Sequence, residues 1–295
     1  MKPIKDMEST FQASELTLAP DGSLYHIRLK PYELADNVII VGDPARVDMV
    51  ARHFDKITIR KTNREINSCT GEKNGTPITV ISTGMGVGAI DIIMTELDAC
   101  CNIDLQTRQV KQEKRQLNIV RLGTCGSLQD NACGDFLCSK YVIGIDGIMY
   151  FYKTNPQVME EELANNFVSF MQWDRTLPRP YALKASEELL KKIAFDIPQG
   201  ITVTAPGFYG PQGRNIRLQT AFPNINTMLP DFEYKQTKIT NYEMETSAIY
   251  AIGRNLGHNC ITLCVVIASR KKGDFLNDYS KQMDSLVDTA LQRLC

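Results

Sequence analysis

What this sequence lacks narrows its function first. Its 33 Lys and Arg nearly cancel 34 Asp and Glu, for a formal net charge of −1. No overall field draws it to nucleic acid or to an anionic membrane, and a basic cluster can act only locally. No apolar run approaches the ~20 residues of a membrane span. The opening Met1–Glu8 is polar and acidic, so no secretory signal is expected. The nine cysteines are odd in number and form no Cys-x-x-Cys pair. Cys260 and Cys264 lie in an apolar run and read as core thiols, which suits a reduced, cytoplasmic protein. The three histidines, His26, His53 and His258, stand far apart without metal-ligand spacing, so no metal is expected. There is no internal repeat, low-complexity tract or domain boundary.

What is present is a series of short strands that run into glycine loops. Residues 1–24 are polar and turn-rich and read as a loosely held N-terminal arm; residues 25–295 read as one domain. Tyr25–Leu29 alternates like an edge strand, with His26 a candidate surface histidine. Asn37–Val41 is an apolar strand closed by Gly42-Asp43-Pro44-Ala45-Arg46. Pro44 suits a first helical turn, and free N–H groups beside Arg46 would form an anion cradle, or else an ordinary βα turn. Residues 57–60 and 77–83 read as strands. Gly84-Met85-Gly86-Val87-Gly88 follows, and then Ile90, Ile93, Met94 and Leu97 at helical spacing. The third glycine falls one position early for a dinucleotide fingerprint.

Residues 100–116 are highly charged and read as a solvated helical extension or loop. Leu117–Leu122 is another strand, with Arg121 near its end and Gly123-Thr124-Cys125-Gly126-Ser127 beyond. Residues 136–145 and 201–204 read as strands, and 155–172 and 185–195 as helices. Phe208, Gln212 and Arg214 lie within seven residues: an aromatic face, an amide and a guanidinium, sufficient to stack a planar heterocycle and bond its edge. Asn241-Tyr-Glu-Met-Glu245 joins a strand to a helix. Glu243 and Glu245 are either solvated acids in a first helical turn or carboxylates in a cleft accepting hydrogen bonds from a vicinal diol. A strand over residues 260–268 ends at Ser269-Arg270. A last helix carries Met283, Leu286, Val287, Ala290, Leu291 and Leu294 on one face. The pattern is α/β: a single domain of mixed strands with flanking helices.

Six segments taken together resemble the nucleoside phosphorylase family of the hexameric-type α/β fold, and within it the uridine phosphorylases. They are Val41-Gly-Asp-Pro-Ala-Arg46, Asn63-Arg-Glu65, Ser82-Thr-Gly-Met-Gly86, Arg121-Leu-Gly-Thr-Cys-Gly126, Phe208-Tyr-Gly-Pro-Gln-Gly-Arg214 and Asn241-Tyr-Glu-Met-Glu245. The resemblance implies a central mixed, partly barrel-like sheet wrapped by helices, and a homodimer sharing active sites, or a hexamer built of such dimers. It implies phosphorolysis of uridine to uracil and ribose 1-phosphate. Phosphate would meet Gly42, Arg46, Arg121 and Thr124, with Arg64 from the neighbouring subunit. Ribose would meet Met244 and Glu245, with the partner's His26 at its 5′-hydroxyl. The base would stack on Phe208 and be read by Gln212 and Arg214. Arg121, Arg214 and Glu245 would carry the catalysis.

Inorganic phosphate is then a co-substrate, and no cofactor is implied. Bacterial relatives hold potassium with a Glu and a loop serine. Glu65 is present here, but Ala89 replaces the serine, so that ion does not carry over. Purine-cleaving relatives carry an Asp after the strand that here ends in Ser269-Arg270. The alternatives are a purine phosphorylase or nucleosidase of the same fold, a catalytically silent nucleoside-binding paralogue and, more remotely, a dinucleotide-binding oxidoreductase.

Overall fold

The computed structural model describes residues 10–295; residues 1–9, the start of the expected arm, lie outside the described residues. In chain order the elements are β1 (Asn37–Val41), α1 (Ala45–Ala51), β2 (Lys56–Asn63), β3 (Ile66–Lys73), β4 (Thr76–Ser82), α2 (Val87–Asn102), β5 (Ile103–Asp104), β6 (Gln109–Val110), β7 (Asn118–Ser127) and β8 (Phe136–Gly144). Then follow α3 (Glu161–Phe170), β9 (Tyr181–Lys184), α4 (Glu187–Ile193), β10 (Gln199–Thr204), α5 (Ile225–Met228), β11 (Glu233–Tyr234), β12 (Thr237–Glu243), α6 (Thr246–Asn255), β13 (Asn259–Ser269), β14 (Asp274–Phe275) and α7 (Ser280–Leu294).

Five strands close on themselves in the order β12-β10-β8-β13-β7, with β7 returning to β12; β1, β4, β3 and β2 extend the sheet from β7. The mixed, partly barrel-like sheet is therefore present. Strand β7 makes the closure possible by changing neighbours. One edge pairs in parallel with β1 from Asn118 to Leu122. The same edge meets β12 antiparallel at Gly126 and Ser127. Between them, over Gly123–Cys125, that edge has no strand pairing, and the sheet splits. In open α/β sheets such splits, at the carboxyl ends of parallel strands, are where ligands bind.

The apolar patterns seen in the sequence do the packing. Ile90, Ile93, Met94 and Leu97 of α2, and all six apolar positions of α7, are buried in one large core with β1, β4 and β7. A second cluster lies among β8, β10, β12 and α3, with Phe167 and Phe232 edge to face. No helix among the described residues is long and apolar enough to cross a membrane.

Several local expectations are corrected. Residues 24–29 are a turn rather than an edge strand: Leu24 N–H donates to Leu29 O and Arg28 N–H to Leu24 O, with Arg28 at φ 57°. Residues 10–24 are not loosely held, because Leu16 and Leu24 are core residues. Of the two readings of 100–116, a helical extension or a loop, the helix ends at Asn102 and the rest is largely an exposed loop around the β5–β6 hairpin, with two of its cations bound to other segments. Arg115 binds Asp36 and the carbonyls of Pro31 and Leu34, and Arg108 binds Leu16 O. The helix expected over 155–172 begins only at Glu161, after a single tight turn at Pro156–Val158. The short strand β9 carried too little alternation to be seen in sequence.

Candidate active site

A cavity of about 520 Å³ opens at the split in the sheet. Its wall brings together loops distant in sequence: Gly42 and Arg46 after β1, Gly84 and Met85 after β4, Arg121 and Thr124 of β7, Phe208, Gln212 and Arg214 after β10, and Met244 and Glu245 after β12.

At its floor lies Arg121, only 4% exposed. Its Nη2 bonds Glu245 Oε2 and lies 3.4 Å from Glu243 Oε2, while Nη1 points to Cys264 Sγ at 3.4 Å. Burial pulls the guanidinium's pKa down, but Glu245 and then Glu243 more than reverse this, so it stays charged. One cation does not fully compensate two carboxylates. Burial pushes the Glu245 carboxyl up, Arg121 opposes that, and the like charge of Glu243 adds to it. The reading of these acids as solvated is overturned, since they are 4% and 6% exposed.

The two carboxylates divide the work. Glu243, at the end of β12, accepts the N–H groups of Glu245 and Thr246 at 2.9 and 2.8 Å and the Thr204 hydroxyl. Thr204 Oγ1 in turn accepts Ser247 N–H at 2.9 Å. The buried first turn of α6 is thereby capped, as its free N–H groups require. Glu245 is left facing the cavity, its second oxygen accepting Gly86 N–H at 2.6 Å. Gly86 is at φ 92°, a backbone suited to glycine. Gly123 serves differently: a Cβ there would lie 2.0 Å from Arg121 Nη1, so only glycine lets that side chain fold along its own strand.

Gly42, Thr124 and Arg46 line the same cavity as Arg121. The expectation of free N–H groups at the start of α1 fails: Asp43 Oδ1 accepts Ala45 N–H at 2.9 Å, and the N–H groups of Arg46 and Val47 close turns on Asp43 and Pro44. Also in the wall, Arg214 lies over Phe208, its Cζ 3.6 Å from the ring centroid. It bonds Gln212 Oε1 at 2.7 Å and Phe208 O. Burial and then Arg270 pull the Arg214 pKa down to about 10, still charged at neutral pH. Arg270, noted in sequence only for not being an acid, donates to Gln212 O at 3.2 Å and helps hold the loop. Its Nε and the Tyr242 hydroxyl are buried without partners, each a polar atom a ligand or water can satisfy. No spacing rule in the sequence marks Tyr242 or Arg270; both become visible only when β12 and β13 lie near one loop.

Arg64 and His26 do not line this cavity. They lie together elsewhere: Asn63 Nδ2 bonds the carbonyls of Tyr25 and His26, and Arg64 lies 6.0 Å from the Tyr25 ring. His26 is more than a surface residue, because Glu96 of α2 accepts its Nδ1 at 2.5 Å and the N–H groups of His26 and Ile27. One buried group among the described residues has metal-ligand types at close range, Asp98, Cys101 and His258, with ligand atoms within 4.8 Å. Leu117 N–H donates to His258 Nδ1 at 3.1 Å. That leaves the ring proton on Nε2, 3.2 Å from Asp98 Oδ1 and where a metal needs a lone pair.

Comparison with known proteins decides the family. The phosphorylase superfamily model matches residues 36–292. The chain belongs to the phosphorylase superfamily. This superfamily member is 29% identical over 270 residues to a uridine phosphorylase of Thermococcus kodakarensis, covering 91% of this chain and 86% of that one. It is 25% identical over 259 residues to a purine nucleoside phosphorylase, DeoD-type 1, of Vibrio vulnificus, covering 87% and 90%. Its fold matches the crystal structure of a Trypanosoma brucei nucleoside phosphorylase that shows uridine phosphorylase activity. There the TM-score is 0.82 and the identity 30%, over 94% of this chain and 99% of that one.

Two expectations follow from the floor of the cavity. In Gly123→Ala the methyl group must displace the Arg121 guanidinium, so steady-state assays should give at least a roughly tenfold rise in phosphate KM; an unchanged KM would show that the side chain can lie elsewhere. The raised Glu245 pKa means its carboxyl takes up a proton, as pH falls, before an ordinary glutamate of 4.5. Uridine KM at saturating phosphate should therefore rise on acidification with a midpoint above that value, and a midpoint at or below it contradicts the assignment.

Proposed function

We propose that this phosphorylase cleaves uridine with inorganic phosphate, giving uracil and ribose 1-phosphate. The observation that carries the reading is that one cavity is lined by Arg121 and Glu245 together with Gly42, Arg46 and Thr124 and with Phe208, Gln212 and Arg214. Guanidiniums for an anion, a carboxylate for a diol and an aromatic ring with an amide for a planar imide are the groups that phosphate, ribose and base require. Phosphate attacks C1′ from the face opposite the base; the C1′–N1 pair leaves with uracil, and a phosphate oxygen bonds C1′. Glu245 accepts from the 2′- and 3′-hydroxyls, with Met244 against the sugar. Arg214 and the Gln212 amide meet O4, N3–H and O2, and once Arg214 has moved to the base edge its guanidinium stabilises the charge developing on the base, an effect worth at most about 3–4 kcal/mol. For the base to stack on Phe208, Arg214 must swing off the ring and exchange one π contact for another.

The donors favour an imide over cytosine, whose amino group would face Arg214. The cationic Arg270 beyond β13, where purine-cleaving relatives carry an acid, favours a pyrimidine. We infer that phosphate is the only co-substrate and that no metal takes part. Nine unpaired cysteines support a reducing, cytoplasmic setting.

We also infer that Arg64 and His26 serve the site of a second copy. Their common position outside their own cavity supports this, because both then enter the partner's site as one unit. In that geometry Glu96 holds the His26 ring with Nε2 outward, ready to accept the 5′-hydroxyl proton.

Two experiments test these readings. Incubation with uridine should release uracil only when phosphate is present. Release without phosphate indicates a nucleosidase, cleavage of inosine alone a purine enzyme, and binding without turnover a silent paralogue. Arg121→Ala and Arg64→Ala should each be inactive alone. Mixed and reassembled as symmetric dimers, they should recover about a quarter of wild-type activity, since half the dimers are mixed and each has one intact site. No recovery from a verified mixed dimer counts against shared sites.

A further inference from the structure

We propose that Tyr279 is a positioning residue for Arg46, holding that guanidinium open toward the phosphate. The proposal rests on the reading of Gly42, Arg46 and Thr124 as an oxyanion site. It adds a residue from the far end of the chain that no motif in the sequence suggests.

The two arginines on this side of the cavity differ in charge balance. Arg121 is buried between two carboxylates, so its charge is already compensated. Arg46 has no carboxylate within ion-pair distance among the described residues. Its side-chain partner is Tyr279, whose hydroxyl oxygen accepts Nη2–H at 3.3 Å and whose ring centroid lies 5.6 Å from Cζ. Both residues line the cavity. A neutral acceptor and a ring face fix the direction of a guanidinium without neutralising it. Arg46 therefore keeps its full charge and most of its N–H groups for a dianion. Without Tyr279 the half-buried side chain would sample many rotamers, and each binding event would have to order it.

The surroundings make the proposal testable without loss of the fold. Helices α1 and α7 are tied together elsewhere, by Asp284 to Arg52 at 2.6 Å and to His53 at 2.7 Å. Replacing Tyr279 thus leaves their packing anchored. The segment before Tyr279 begins at Arg270, which bonds the Gln212 loop. The base end of the cavity keeps that contact when only Tyr279 is changed.

The test compares Tyr279→Phe, Tyr279→Ala, Arg46→Ala and the double alanine variant. Each KM is measured with the other substrate saturating, and thermal melts are run in parallel. Tyr279→Phe keeps the ring and should raise phosphate KM roughly threefold; Tyr279→Ala should raise it roughly tenfold. Uridine KM and kcat at saturation of both substrates should stay within about twofold. The double variant should be no worse than Arg46→Ala, because the tyrosine then has nothing to hold.

An unchanged phosphate KM in Tyr279→Ala overturns the proposal. So does a full additional effect in the double variant, or a parallel change in both KM values and kcat with a lowered melting temperature. Calorimetric titration of inorganic phosphate separates this inference from the uridine reading. Weaker phosphate binding by Tyr279→Ala, in a protein that cleaves no uridine, upholds the tyrosine and removes the proposed reaction. Equal phosphate affinity in an enzyme that does cleave uridine removes only the tyrosine.

Discussion

One buried cation shared by two carboxylates underlies everything else in this protein. Arg121 lies at the floor of the cavity, between Glu243 and Glu245. A charge withdrawn from water is tolerable only when paired and hydrogen-bonded, and removing one member of a buried pair costs about 3–5 kcal/mol. Each member here is bound on several sides. Glu243 caps α6, Glu245 accepts from the loop after β4, and Arg121 reaches Cys264 on β13. The cluster therefore fixes the relative positions of β7, β12, β13 and the Gly84–Gly86 loop.

The sheet explains why such a cluster can exist. Residues two apart on a strand share a face, so Arg121 can lie back along β7 only over a residue that has no Cβ. Strand β7 leaves β1 after Leu122 and takes up β12 at Gly126. The interval holds Gly123, whose missing Cβ is the space that Arg121 occupies. Closure of the five-stranded ring and the opening of a ligand cavity are thus one event in the backbone.

The two ends of the cavity are prepared differently. Arg46 is held by a neutral aromatic residue, Tyr279. Arg214 instead covers Phe208 and bonds Gln212, so these groups satisfy one another. Polar groups that pair internally avoid the penalty of exclusion from water without a partner.

Much of this was legible in the residues themselves. Strands β1 and β4, the first half of β7, helix α2 and the apolar face of α7 follow from periodicity, because burial of an apolar stripe depends only on local spacing; Gly123–Ser127 read as a glycine loop, but pairing with β13 keeps it in the strand. The glycine loops and the Phe208–Arg214 segment marked the site for the same local reason. Other features were out of reach: that Glu243 is a cap while Glu245 faces the cavity, that Arg214 covers Phe208, that Arg108 holds the arm at Leu16, and that Tyr279 meets Arg46. Each depends on residues distant in sequence meeting in space, as Arg46 and Tyr279 do across 233 positions. Local chemistry chose the elements and the donor types; only the closure of the sheet around the split in β7 decided which charges are paired, and which remains free to receive an anion.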